Sequence, residues 1–238
     1  PPRLLACTLG FAMAFVSGCG RSGHDASASD LLARDDFSPA GAASFSERWV
    51  VEQQPGGTVT VDDGRMVIDD VGGCTVWWRQ KLTAPVHISF EATVSSRSRV
   101  SDLNCFWMAS DPARPDDLLA PGHARDGRFA TYDTLRTYYV GYGGNTNSTT
   151  RFRRYTGSGA RPLLPEHDLG APEFLLEPDH TYRITLIADG RSARYVRDGM
   201  IVFAYEDPEP LTEGWFGFRT VHSRIEIRNF AIHRAQIP

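Results

Sequence analysis

The segment from Tyr138 to Tyr155 sets four tyrosines and three arginines around a turn of glycines and asparagines. Read as a hairpin, it brings a tyrosine-bearing strand in and an arginine-bearing strand out. Alternation places Arg151, Arg153 and Tyr155 on one face, with Phe152 on the other. A row of guanidinium groups suits a carboxylated or sulfated ligand, because the planar Arg fork holds a carboxylate through two parallel hydrogen bonds. Beside tyrosines, such a row also has the parts for β-elimination at a uronate. That reaction needs the carboxylate neutralised so that the C5 proton becomes acidic, a base for that proton, and an acid for the departing oxygen. Arg and Asn meet the first need, Tyr or His the others. On this reading Tyr142, Arg153, Asn104 and His222 are the catalytic candidates, and Arg151, Tyr138, Arg219, Trp78, Asn145 and Asn147 bind substrate. The bland alternative is a solvated face whose arginines pair with surface acids.

The remaining candidates come from three segments. Residues 101–109 are apolar on both parities yet carry Asp102 and Asn104 on one of them. A strand reads this way when one face packs the core and the other lines a site, and equally when Asn and Asp are satisfied by neighbouring backbone. Trp77 and Trp78 are adjacent, so in a strand one indole leaves the core side, where a flat ring can stack on a sugar. Residues 215–222 supply Arg219 and His222. An imidazole titrates near neutrality and can act as a general base, although a lone histidine more often has a structural place.

Other chemistries lack their parts. No Glu-x-Asp-x-x-Glu strand presents two carboxylates for double displacement, and Glu91, Glu173, Glu206 and Glu226 are scattered over different segments. No His-x-His, His-Glu-x-x-His or Gly-x-Ser-x-Gly pattern marks a transition-metal site or a serine elbow. No cofactor is expected; structural calcium stays open, because backbone carbonyls can ligate it without a sequence trace. The net charge of −4, spread without blocks of one sign, gives no footprint for nucleic acid or for an acidic membrane surface.

The elements that must position these groups are strands. Helical periodicity is nearly absent, while period-2 alternation recurs from Val59 to Ile232. In residues 87–94, Ile88, Phe90, Ala92 and Val94 face the core. Asp-Gly pairs at 63–64, 189–190 and 198–199 mark hairpin turns. They join 57–62 to 65–70, 181–188 to 192–197, and 192–197 to 200–205. The last run changes parity after Ile227, which predicts a β-bulge near Arg228-Asn229. Residues 111–134 and 157–178 read as long loops that wall a cleft. Some fourteen short strands without helices predict two packed antiparallel sheets in a jelly roll.

The N-terminal stretch reads as an export signal. An apolar run at 4–16 follows Arg3, and Val16-Ser17-Gly18-Cys19 is similar to a lipobox, which makes Cys19 the lipidation site. The expected organisation is a leader over 1–19, a small-residue tether over 20–30 and one sandwich domain over 31–238, exported and anchored to a membrane through lipid alone. The exporting compartment permits a disulfide between Cys74 and Cys105, whereas each sits in an apolar strand where a free thiol also packs well.

The runs at 102–109, 139–155 and 217–233 resemble an uncharacterised bacterial β-sandwich family and, more distantly, the YesU-like proteins. The resemblance implies a concanavalin A-like jelly roll of the lectin/glucanase kind. It implies company with systems that degrade rhamnogalacturonan and other uronate polysaccharides, and brings no agreed catalytic residues. The expected function is therefore action on an acidic polysaccharide or oligosaccharide, by β-elimination first. A non-catalytic carbohydrate-binding lipoprotein and a glycoside hydrolase of unfamiliar pattern are the alternatives, and the oligomeric state stays open.

Overall fold

The computed structural model describes residues 31–122 and 125–235, so the expected leader, Cys19 and the tether lie outside the described residues. Among these, the strands in chain order are β1 (Leu31–Asp35), β2 (Trp49–Gln53), β3 (Thr58–Asp62), β4 (Arg65–Asp69), β5 (Cys74–Trp78), β6 (Leu82–Thr83), β7 (Val86–Val94) and β8 (Leu103–Ser110). They continue with β9 (Arg136–Gly143), β10 (Thr149–Thr156), β11 (Asp168–Leu169), β12 (Thr181–Ala188), β13 (Ser192–Arg197), β14 (Met200–Glu206), β15 (Glu213–Thr220) and β16 (Arg224–Arg234). Sheet I runs β14-β13-β12-β7-β16-β4-β3, with β1 along β16; sheet II runs β11-β10-β9-β8-β15-β5-β2, with β6 along β15. This is the all-β sandwich of two antiparallel sheets that the alternation predicts. No helix among the described residues is long and apolar enough to cross a membrane.

Alternation explains the packing. Along β7 every second residue is buried, and Ile88, Phe90, Ala92 and Val94 meet Phe216 and Phe218 of sheet II in the core. Each large apolar side chain buried in this way contributes about 1.5–3 kcal/mol. In β16 the register against β7 shifts between Arg228 and Ala231, with Asn229 in the left-handed region at φ 52°. That bulge lets Ile225 and Ile227 before it, and Phe230 and Ile232 after it, all enter one core. At one end Asp35 accepts hydrogen bonds from Phe37 N (2.9 Å), Arg48 Nε (2.8 Å) and Trp49 Nε1 (2.8 Å), tying β1 to the start of β2.

The disulfide is not formed. Cys74 and Cys105 are free and buried, and β15 runs between their strands, pairing Thr220 with Cys74 and Phe218 with Cys105. Positions two strands apart stand about 10 Å from each other, beyond the roughly 4.4–6.8 Å between Cα atoms that a disulfide spans. Burial pushes both thiols well above their usual pKa, so neither is a ready nucleophile. Peptide mapping without reductant is expected to find both cysteines unpaired, and reductant is expected to leave the melting temperature unchanged.

Candidate functional site

Cross-strand register lines up a polar row on the outer face of sheet II. Glu52 pairs with Thr75, Thr75 with Arg219, Arg219 with Asn104, Asn104 with Gly141, Gly141 with Arg151, and Arg151 with Asp168. Two residues along, a second row reads Val50, Trp77, Gly217, Phe106, Tyr139 and Arg153. One end of this face is roofed. Leu118, Tyr132 and Leu135, from the segment between β8 and β9, pack with Trp77, Phe106, Tyr139 and Tyr155 as a second apolar cluster. Gly217 makes room for the Trp77 indole, since a Cβ there would stand 2.6 Å from the ring.

The uncovered end is a trough of two adjoining hollows. The first, of about 230 Å³, is bounded by Arg151, Arg153 and Arg161. The second, of about 300 Å³, is bounded by Arg99, Asn104 and Arg219; Asp102, Phe129, Tyr139 and Asn145 line both. Gly141 puts no side chain between Asn104 and Arg151, and a Cβ at that position would come within 3.2 Å of Tyr139 Oη. Phe129 is carried by the roof segment and Arg161 by the loop after β10. Both long loops thus contribute to the walls.

The arginines differ in how far their charge is already met. Arg151 is held by Asp168 through two bonds (2.8 and 3.0 Å), which keep that carboxyl below its usual pKa. Arg161 is held by Asp133 (2.6 and 2.7 Å) and lies 4.4 Å over the Phe129 ring. Arg99 donates to Asp102 (3.1 Å) and to the Val221 carbonyl (2.6 Å). Arg219, only 1% exposed, donates to Thr75 Oγ1 (3.0 Å) and the Gly127 carbonyl (2.9 Å), between the rings of Phe129 and Tyr132 at 4.9 Å each. Arg153 donates only to the carbonyls of Arg161 and Pro162. Among the described residues, no acid forms an ion pair with Arg153 or Arg219. Tyr139 Oη has no hydrogen-bond partner there either. Burial, with Tyr155 and Asp102 nearby, pushes the Tyr139 phenol well above its usual pKa against the pull of Arg219 and Arg153, which favours the protonated form.

The structure thus brings together Asn104, Asn145, Arg151, Arg153 and Arg219 from the sequence-derived set, and places the others elsewhere. Tyr138 and Tyr142 share the parity of Val140 and point into the core. There Tyr138 Oη donates to Asp207 (2.8 Å), while Tyr142 Oη donates to the Leu175 carbonyl (3.2 Å) and accepts from Arg197 (2.9 Å). Trp78 is also core, against Trp49 and Phe230. Its neighbour Trp77 takes the outer face, yet is fully covered and donates to Glu52 (2.8 Å). Asn147 exchanges hydrogen bonds with Leu176 N and O (2.8 Å each), away from the trough. His222 is exposed in the turn between β15 and β16, outside both hollows.

The sequence reading missed Tyr139, Phe129, Arg99 and Arg161 as trough residues, whereas Asp102, read with Asn104 on the site-lining face of residues 101–109, does line both hollows. Tyr139 was reachable, since it stands opposite Arg153 in the hairpin and shares a face with Gly141. Phe129 opens a single 3-10 turn, Phe129–Tyr132, and Arg161 sits in a loop, both too short or irregular for periodicity to carry a signal. Among the described residues no three His, Cys, Asp or Glu side chains converge as a metal site, and Asp102 is the one carboxylate among the residues lining the two hollows.

The fold has known counterparts. A protein of unknown function with a galectin-like fold from Bacillus subtilis is 20% identical at a TM-score of 0.69, covering 88% of this chain and 98% of that one. A Bacillus subtilis carbohydrate-binding module, CBM66, is 14% identical at a TM-score of 0.54, covering 78% and 94%. An endo-β-1,3-glucanase from Pyrococcus furiosus is 10% identical at 0.53, covering 86% and 94%. These likenesses establish the concanavalin A-like jelly roll. No curated protein matches the chain in sequence. The signature of the family described as a domain of unknown function, DUF6250, matches residues 68–230, a span that contains both hollows of the trough, and the chain belongs to that family.

Proposed function

We propose that the protein binds an anionic, uronate-containing carbohydrate in the trough on sheet II, with Arg153 as the main contact for the sugar carboxylate. One observation carries this reading: Arg153 is a half-buried guanidinium with no acid partner among the described residues, at a hollow walled by Phe129 and Tyr139. An unpaired cation beside aromatic ring faces meets both halves of an acidic sugar, its carboxylate and its apolar ring face. The row from Arg219 to Arg151 crosses three strand spacings of about 4.8 Å each, long enough for an oligosaccharide. The similarity to a carbohydrate-binding module and to a glucanase supports a glycan ligand, as would a distant kinship with the YesU-like proteins. Export and lipidation at Cys19 belong to the same proposal and would put the trough where extracellular glycans pass.

Recognition without turnover is the better-supported form. The protonated form of the Tyr139 phenol is favoured, and the other proton carriers considered, Tyr142 and His222, lie outside the trough. Elimination is the second reading, favoured by the unbonded hydroxyl of Tyr139, which lies against Gly141 in the row between Asn104 and Arg151. Affinity electrophoresis through gels holding polygalacturonate, alginate or a neutral glucan tests the proposal, with ultraviolet absorbance of unsaturated uronate followed in parallel. Retardation by an acidic gel without rising absorbance is the expected result. Rising absorbance would convert the protein into a lyase, and retardation by the neutral gel alone would end the proposal.

A further inference from the structure

We infer that the second hollow takes an uncharged, hydroxyl-bearing sugar beside the acidic one, so that the ligand is a mixed acidic and neutral oligosaccharide rather than a run of uronates. This rests on the reading of the trough as a glycan site. Two independent observations point to it. The first is Asn104. Its side chain is 2% exposed, its Nδ2 donates to Asp102 (3.3 Å), and its Oδ1 has no donor among the described residues. A buried acceptor without a donor is costly, and a carboxylate cannot relieve it because it brings acceptors only. A hydroxyl brings a donor, and an oxygen that can accept from a neighbouring guanidinium. Beside Asn104, Arg99 donates to Asp102 and the Val221 carbonyl, and Arg219 to Thr75 and the Gly127 carbonyl between two ring faces, while each keeps a buried Nε without a partner among the described residues, from which a hydroxyl oxygen can accept as it donates to Asn104.

The second observation is the turn between β9 and β10. Asn145, Thr146 and Asn147 are consecutively left-handed, at φ 52°, 60° and 56°, a conformation that crowds the Cβ of any non-glycine residue against the following carbonyl oxygen. Asn147 offsets its share through its two bonds to Leu176, and Asn145 through Thr149 Oγ1 (3.2 Å). Thr146 has no such bond. It is β-branched, for which this region is most strained, it is exposed, and its hydroxyl has no partner among the described residues. It lines the second hollow and not the first. Strain held without local compensation marks recognition surfaces, and here it holds another hydroxyl over Asn104's hollow, ready to donate to or accept from a sugar.

Calorimetric titration of the whole chain with three classes of tetrasaccharide tests this: all-galacturonate, alternating glucuronate and neutral sugar, and all-neutral. The alternating class is expected to bind about tenfold tighter than the all-uronate class, the effect of satisfying one buried polar group. Asn104→Ala is expected to bring that ratio close to one. Thr146→Gly, which relaxes the strained φ, is expected to hold or raise the melting temperature while reducing the ratio, and keeps the test valid should Asn104→Ala fold poorly. All-uronate binding equal to or tighter than alternating, or a ratio unchanged in both variants, overturns the inference. Unaltered affinity for acidic probes in Arg153→Ala would instead overturn the parent reading.

Discussion

Replacing Glu52 with alanine is expected to lower stability by about 3–5 kcal/mol, the scale on which breaking one side of a buried charged network falls. Glu52 is 2% exposed and accepts from Trp77 Nε1 (2.8 Å), Tyr132 Oη (2.9 Å) and the Arg125 amide (2.9 Å), with Arg125 Nη1 at 3.7 Å. Alanine orphans all three donors at once. At about 2–4 °C per kcal/mol for a chain of this size, the melting temperature should fall by roughly 6–20 °C, readable by calorimetry. Glu52→Gln keeps one acceptor oxygen and should lose less. The consequence reaches the trough, because Tyr132 is one of the two rings that clasp Arg219. Burial and the Glu52 charge both push the Tyr132 phenol upward, so it stays a donor to Glu52 throughout the ordinary pH range. A melting temperature within 2 °C of the parent, on the scale of a single surface substitution, would mean that the roof is not anchored at Glu52.

Arg153→Ala is expected to weaken binding of an acidic oligosaccharide by about 10–150-fold, the equivalent of a hydrogen bond to a charged group worth about 1.5–3 kcal/mol. The fold should be untouched, since Arg153 bonds only two loop carbonyls and anchors nothing in the core. Arg153→Lys keeps the charge without the fork and should recover only part of the affinity. Added salt should weaken the parent more than the alanine variant, because screening acts on the charge that was removed. Titration by calorimetry at two ionic strengths reads both effects.

Much of the sandwich was legible because its signals are local. The alternation of β7, the Asp-Gly turns and the parity change at Arg228-Asn229 each follow from period 2 and turn chemistry, and each has its counterpart in the structure. The face carrying Arg151 and Arg153 was legible for the same reason. What failed was the choice between parities where both carry aromatics. In β9, Tyr138 and Tyr142 have the same chemistry as Tyr139, and only the position of the second sheet decides which of them meets the core. The tryptophan pair poses the same ambiguity, made worse because the outward Trp77 is covered by a roof that no periodicity announces. Cys74 and Cys105 could not be separated from a bonded pair without knowing that β15 lies between them.

A sandwich with a second apolar cluster on the outside of one sheet has spent part of that face on stability and left the remainder as a trough. Three of the five arginines around it are paired with an acid; of the two that have no acid partner among the described residues, Arg219 is 1% exposed and Arg153 half-buried, so Arg153 sets what the trough attracts. The most direct measurement is a crystal structure of the protein soaked with a uronate-containing oligosaccharide. The account predicts a carboxylate within hydrogen-bonding distance of the Arg153 guanidinium and a sugar ring against Phe129 and Tyr139. A glycan seated on the outer face of sheet I or on the loop ends, with the trough empty, would contradict it.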